Sequence, residues 1–233
     1  MSIWHKLAEL ADGGVIALGA LFEWAGGLVA SVGDPETRRQ VAFSVAMIAL
    51  SAKMAKADGI VTSVEVETFH RLFKVPAGEE QHVARLFNLA KGDVAGFENY
   101  AARVAAFYEN DRVGLEDVLE GLFFIATADG AVLRTELAYL QRVGEIFGIV
   151  DEAFDRIVAR YVVPEEGDPY LILGVDRTTG SAEIKRHYRL LAAENHPDRL
   201  IARGVPEEFI ALATQRLAAI NGAWDRIETE RRS

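Results

Sequence analysis

Apolar side chains recur at every third or fourth position between residues 36 and 161, the spacing of helices that each bury one face. Turn-forming residues such as Asp129-Gly130 and Gly148 separate the apolar runs, and no run alternates as a half-buried strand does. The pattern therefore predicts an all-α bundle of antiparallel neighbours with short connections. The predicted helices cover residues 35–56, 63–73, 79–90, 95–108, 115–128, 134–147 and 151–162.

A second and smaller helical unit is predicted in the last third of the sequence. Asp168 can cap a short helix that has Pro169 at its first position and Gly174 at its end. A longer helix begins at Ser181 and a third begins at Pro206, and the two form an antiparallel hairpin. Their buried stripes consist of Ile184, Tyr188 and Leu191 in the second helix and Phe209, Ala213, Leu217 and Ile220 in the third.

The connection inside this hairpin carries His196-Pro197-Asp198. Pro197 is predicted to end the second helix, since proline lacks the N–H that a helix interior needs, and the tripeptide is then expected on an exposed loop. The side of the second helix that faces away from the stripe is basic. This face is either a solvated charged surface, as most charge runs are, or a docking surface that works together with the loop. Its residues are Lys185, Arg186 and Arg189.

Residues 13–33 form an apolar segment of membrane-spanning length in which Glu23 is the one charged side chain. A carboxylate at the centre of a spanning helix costs roughly 2.5–3.5 kcal/mol, and the glycines of the segment lower its helix propensity. We therefore predict that residues 1–34 form an apolar helix that packs on the bundle or lies on a membrane surface, in preference to a spanning helix.

Composition and charge narrow the function classes. Half of the residues are hydrophobic and 26% are charged, as in a folded protein with a substantial core. The absence of cysteine excludes disulfide scaffolds and cysteine-ligated metal sites. The net charge is −10, and residues 169–233 hold ten basic and nine acidic side chains, so the excess negative charge lies before them. Because an acidic surface repels nucleic acid, no nucleic-acid partner is predicted.

Catalytic and cofactor motifs are also missing from the sequence. The five histidines accompany no HExxH, GxSxG or P-loop pattern. His196 and Asp198 flank a proline with no nucleophile beside them. The sequence therefore predicts a protein that is not an enzyme, with no catalytic residues and no cofactor.

An internal repeat relates two turns of the first domain at an offset of 71 residues. Each copy places Ala-Asp-Gly before a valine and then a glutamate seven positions after the aspartate. The acidic residues are candidate metal ligands, but two carboxylates seven apart are a weak ligand set, and a calcium loop needs more oxygens. Capping and first-turn charge are the favoured roles. The residues in question are Asp58, Glu65, Asp129 and Glu136.

The duplicated A-D-G-x-V-x-x-x-E pattern between apolar helices resembles the TerB-like domain. The resemblance covers roughly residues 36–161. It implies a helical domain of a kind that is often linked to stress response or to membrane-associated complexes, with metal binding suggested for some members.

The C-terminal unit resembles a J-domain. The segments DPYLILGV, SAEIKRHYRLLAAENHPDRL and LAAINGAWDRI occur in the order and spacing of that family. The resemblance implies that the basic face of the second helix and the HPD loop dock on a DnaK-type chaperone and stimulate its ATP hydrolysis. Two positions depart from the usual pattern, His187 where a small residue is common and Leu190 where a basic one is. The implied partner-binding residues are Lys185, Arg186, Arg189, His196, Pro197 and Asp198.

A TerB-like domain followed by a C-terminal J-domain is similar to co-chaperones of the DjlA type. The expected domains are an apolar N-terminal helix at 1–34, a TerB-like domain at 35–162, a linker at 163–167 and a J-domain at 168–233. The implied function is to stimulate a DnaK-type chaperone and to recruit it to a client protein through the TerB-like domain. Cytoplasmic localisation is expected, with peripheral contact to the cytoplasmic face of the inner membrane. The alternatives are a stress- or metal-sensing helical adaptor whose J-like unit is only a scaffold, and a membrane adaptor.

Overall fold

The computed structural model describes residues 35–57, 96–108, 111–128, 130, 132–162, 167–202 and 207–232. These residues form nine α-helices and no strand, which confirms the predicted all-α class. The chain divides into two compact units, Met1–Gly148 and Ile149–Ser233. The helices are α1 Pro35–Ala57, α2 Phe97–Tyr108, α3 Arg112–Ala126, α4 Arg134–Phe147, α5 Asp151–Tyr161, α6 Pro169–Leu173, α7 Ser181–Glu194, α8 Pro197–Ala202 and α9 Glu207–Arg232.

The first unit is built around α1, which packs against α2, α3 and α4. Consecutive side chains of α1 from Met47 to Leu50 are fully buried, and a helix that is apolar on all sides belongs in the interior. Tyr139 of α4 anchors this centre because its hydroxyl donates a hydrogen bond of 2.7 Å to the Leu50 carbonyl oxygen. Burial, with the charge of Glu98 as a smaller cause, raises the pKa of the Tyr139 phenol well above its usual value. Tyr139 therefore stays a neutral donor.

Helix boundaries follow local caps. Helix α4 has the predicted bounds, whereas α3 begins at Arg112, three residues before the predicted start. The earlier start is set by Asp111, whose carboxylate accepts a hydrogen bond of 3.0 Å from the Gly114 amide. Gly114 is required there because a Cβ atom would lie 2.4 Å from a ring carbon of Tyr108. The predicted helices 63–73 and 79–90 lie outside the described residues.

The second unit is a helical hairpin of α7 and α9 with three shorter helices against it. Helix α9 contacts α5, α6, α7 and α8, and α5 also contacts α6. Helix α9 continues without a break through Asn221-Gly222. The buried core of this unit comprises Ala159, Tyr170, Ile172, Leu173, Ile184, Ala219, Ile220, Ala223 and Ile227, with Tyr188, Leu191 and Trp224 partly buried against it.

Helix α5 belongs to this second unit through its own side chains. Ala159 lies in the core just described. Arg160 donates a hydrogen bond of 3.2 Å to the Ile172 carbonyl oxygen of α6. The Arg156 guanidinium lies beside Gly174, where a Cβ atom would approach it to 3.0 Å. Helix α5 therefore packs as part of the second unit, although the sequence predicted that this unit begins only at α6.

The apolar segment at 13–33 lies outside the described residues. Among the helices that the structure does describe, none combines the length and apolar character needed to cross a membrane.

Candidate functional site

The short helix α6, which precedes the hairpin, begins and ends at the caps that the sequence predicted. The Asp168 carboxylate accepts a hydrogen bond of 3.0 Å from the Tyr170 amide, and Pro169 occupies the first turn of α6. Gly174 ends α6 in the left-handed conformation, with a φ of 67°, which a glycine adopts without steric cost. A turn then leads to α7, and the Thr178 hydroxyl and amide, which both donate to Asp176, lower the pKa of that carboxyl.

Arg231 joins the end of α9 to this turn. Its guanidinium donates to the carbonyl oxygens of Arg177 and Thr179, at 2.8 Å each, and to the Tyr170 hydroxyl at 3.1 Å. Arg177 stacks over the Tyr170 ring, 4.5 Å from its centroid, and pairs with Asp168 at 3.0 Å. These contacts set the place where α7 begins. No sequence pattern predicts these contacts of Arg231, because its partners lie more than 50 positions away along the chain.

Helix α7 turns one face to α9 and the other to solvent. Ile184 is fully buried, and the Tyr188 ring stacks on Trp224 with centroids 4.9 Å apart. The predicted basic residues all lie on the exposed side, where Arg186 is 3.6 Å from Glu183. These basic side chains are Lys185, Arg186 and Arg189.

The two unusual positions of α7 have different surroundings. His187 is half-buried, and its Nε2 atom lies 3.0 Å from the Leu173 carbonyl oxygen at the end of α6. Leu190 is 54% exposed, although it is apolar. His187 therefore contributes to the join between α6 and α7, while Leu190 adds an apolar side chain to the basic surface.

Helix α7 ends before Pro197, as predicted, but Pro197 begins a new helix where a loop was predicted. The helix ends at Glu194 with Asn195 as its C-cap, and Pro197 begins the short helix α8. The first turn of a helix accepts proline because the amides there have no intrahelical partner. The tripeptide thus spans a junction between two helices: His196 lies between them, and Pro197 and Asp198 form the first turn of α8.

The backbone at this junction is held by internal hydrogen bonds. The His196 carbonyl oxygen accepts from the amides of Arg199 and Leu200 at 3.1 and 3.2 Å. The Asp198 amide donates to Nδ1 of His196 at 3.2 Å, so a neutral His196 carries its proton on Nε2. The His196 and Asp198 side chains are 51% and 86% exposed. An imidazole donor and a carboxylate acceptor are therefore presented side by side to solvent.

Asn195 fixes the residue that precedes the tripeptide. It is 8% exposed, and its side-chain amide donates to the Leu191 carbonyl oxygen at 2.8 Å. Its Oδ1 atom accepts from Arg216 of α9 at 3.3 Å. This link between α7 and α9 was missed in the sequence, where an asparagine two residues before a proline indicates a turn but does not specify a partner.

Of the acidic residues in the duplicated turns, the structure places Glu136. Its side chain is 4% exposed and accepts a hydrogen bond of 2.8 Å from the Leu133 amide at the start of α4, which is a capping contact. Asp58, Glu65 and Asp129 lie outside the described residues. Within the part of the chain that the structure describes, no three His, Asp or Glu side chains gather as a metal site.

Two family models match the chain in succession. The model of tellurite resistance protein TerB matches residues 44–159, and the DnaJ domain model matches residues 168–230. The TerB match includes most of α5, which packs in the second unit. Sequence family and packing therefore divide the chain at different residues, and the domain limits predicted from the sequence stay a prediction.

Curated proteins from several bacteria are similar to this chain and share one name with each other. A protein of Vibrio vulnificus is 26% identical over 85% of this chain and 82% of its own length. One of Yersinia pestis is 26% identical over 99% of both chains, and one of Pasteurella multocida is 42% identical over 28% of this chain and 22% of its own. All three are named co-chaperone protein DjlA. No solved structure matches the chain. The order of the two domain matches and the similarity along most of the chain place this protein in the family of DjlA-type J-domain co-chaperones.

Proposed function

We propose that this protein stimulates ATP hydrolysis by a DnaK-type chaperone. The observation that carries the proposal is the junction of α7 and α8, where His196 and Asp198 are exposed on a backbone fixed by internal hydrogen bonds. Exposed polar groups on a rigid support suit recognition, because little conformational entropy is lost when a partner binds them.

The chemistry of the junction defines the partner surface. The Asp198 carboxylate is an acceptor for a cationic group, and a charge-assisted hydrogen bond of this kind is about twice as strong as a neutral one. The basic face of α7 adds attraction to an acidic partner surface and speeds encounter. The partner-binding residues are Lys185, Arg186, Arg189, His196, Pro197 and Asp198.

The first unit has a separate part in this proposal. It recruits the activated chaperone to a client protein or cellular site, with contact to the cytoplasmic face of the inner membrane through residues 13–33. The protein acts as a non-enzymatic activator, since the ATP is bound and hydrolysed by the partner. The relatives named co-chaperone protein DjlA support this assignment.

The test is single-turnover ATP hydrolysis by DnaK of the same organism, with and without this protein. Asp198→Asn and His196→Gln should abolish stimulation while leaving the melting temperature unchanged, because exposed substitutions usually change stability by less than about 0.5 kcal/mol. Asp225→Asn, on an exposed carboxylate of α9, is the matched control and should stimulate normally.

Two results would contradict the proposal. The first is equal stimulation by the wild type and both junction variants. The second is no stimulation by the wild type, which would favour an adaptor whose J-like unit is a scaffold.

A further inference from the structure

We propose that Asn195 and Arg216 are positioning residues that hold the His196-Pro197-Asp198 junction in its docking geometry. The inference rests on the proposed function and adds to it a pair of residues outside the tripeptide and outside the basic face. We call the hydrogen bond between the Asn195 Oδ1 atom and the Arg216 guanidinium, 3.3 Å long, the strut.

Asn195 is a buried polar residue whose side-chain amide forms hydrogen bonds through both its nitrogen and its oxygen. Its amide nitrogen donates to the Leu191 carbonyl oxygen, which the Asn195 backbone amide also approaches at 3.1 Å. Its oxygen accepts from α9 through the strut. A buried amide that loses a partner pays its desolvation cost, so these bonds favour a single orientation of the residue directly before His196.

The other side of the tripeptide is also tied to its surroundings. Arg199 donates to the Ala193 carbonyl oxygen near the end of α7 at 3.3 Å, and α8 packs against α9. The tripeptide is therefore fixed to α7 on one side by Arg199 and to α9 on the other by the strut. Since the basic residues project from α7, these ties hold the backbone that carries Asp198 and the helix that carries the basic residues in one relative position.

The consequence for docking is one of preorganisation. A partner that contacts Asp198 and the basic face together binds only molecules in which both are correctly placed. When a fraction of the molecules is competent, the apparent dissociation constant rises by the inverse of that fraction. Loss of the strut should thus raise the concentration needed for half-maximal stimulation and leave the maximal rate unchanged.

The experiment measures stimulation of DnaK ATP hydrolysis against co-chaperone concentration. Arg216→Ala and Asn195→Ala should each raise the half-maximal concentration about tenfold with an unchanged maximum, and the double variant should be no worse than either single one. Asn195→Asp keeps the acceptor for Arg216 but loses the donor to the Leu191 carbonyl oxygen, so it should recover only part of the loss seen in Asn195→Ala. Arg232→Ala, an exposed arginine of the same helix that pairs with Glu228 at 3.0 Å, is the control and should have no effect.

Hydrogen exchange gives a readout that does not need the partner. In Arg216→Ala, the amides of Arg199 and Leu200, which bond to the His196 carbonyl oxygen, should exchange at least tenfold faster. The amide of the buried residue Ile220 should be unchanged. Faster exchange at all three would mean general destabilisation and would overturn the positioning role.

Two further outcomes separate this inference from the function beneath it. Additive effects of the two alanine variants, with full recovery in Arg216→Lys, would show that Arg216 only steers the partner by its charge, and would overturn the strut. A wild type that does not stimulate, or that stimulates no better than His196→Gln, would overturn the proposed function and this inference together. Stimulation that needs His196 but ignores both strut residues would overturn this inference alone.

Discussion

Arg231, near the end of α9, bonds both to α6 and to the turn that precedes α7. A guanidinium offers five donors in a planar fork, and Arg231 uses them on the Arg177 and Thr179 carbonyl oxygens and on the Tyr170 hydroxyl. Its cation also lies 5.3 Å from the centroid of the Tyr170 ring. A lysine cannot reproduce this pattern, because it carries one compact ammonium group.

Replacing Arg231 should therefore weaken the second unit. We expect Arg231→Ala to lower the free energy of unfolding by about 1–3 kcal/mol, the usual cost of leaving partly buried polar groups without partners, and Arg231→Lys to recover part of the loss. Native-state hydrogen exchange at the core amides of Ile220 and Ala223 measures the change. Arg232→Ala should cost less than about 0.5 kcal/mol, and equal effects at both arginines would contradict the interpretation.

At the level of elements, α5 completes the hairpin of α7 and α9. Its Ala159 side chain is 5% exposed within the shared core, and Arg160 bonds to α6. A small residue at this contact lets two helices approach closely. A larger side chain has no room there without displacing its neighbours, and overpacking of this kind costs about 1–3 kcal/mol.

Ala159→Leu should accordingly destabilise α7 and α9 as well as α5. Hydrogen exchange of amides in α9, far from residue 159 in sequence, should become at least several-fold faster. Asp155→Leu introduces the same side chain on the exposed face of α5 and should leave α9 unchanged. Faster exchange confined to α5 in the Ala159 variant would show that the packing of this helix does not stabilise the rest of the unit.

The elements also show how far the sequence could predict this structure. Asp168, Pro169 and Gly174 were assigned correctly because caps depend on neighbouring residues alone. The loop predicted at Pro197 is instead the first turn of α8, since proline is compatible with the end of one helix and with the start of the next. The contacts of Arg216 and Arg231 reach 21 and up to 61 positions back along the chain, and helical periodicity does not specify which polar side chains meet.

On the scale of the whole molecule, charge is distributed unevenly. The chain carries a net charge of −10, yet residues 169–233 hold one more basic than acidic side chain. The basic face of α7 is thus a local cationic surface on an acidic protein. Association with an acidic partner surface should then depend on long-range attraction, which salt screens over about 8–10 Å near physiological ionic strength.

Stimulation of DnaK should therefore weaken as salt rises. We expect the half-maximal concentration to increase several-fold between about 50 and 300 mM potassium chloride, because screening shortens the range of the attraction. The double variant Lys185→Gln/Arg189→Gln should show a shallower salt dependence and a weaker response at low salt. Arg112→Gln, an exposed arginine of the first unit, is the control and should keep the wild-type slope. A response that does not change with salt would exclude steering by α7.

The position of α5 bears on how such a protein can be recombined. The TerB match extends to residue 159, whereas the second packing unit begins at Ile149. A crossover placed between residues 162 and 167 would keep the sequence families intact but pair the hairpin with a foreign α5. A crossover just before Ile149 would transfer α5 together with the core in which Ala159 is buried. Chimeras among relatives should therefore be joined just before Ile149, where the second packing unit begins, and not after residue 159, where the TerB match ends.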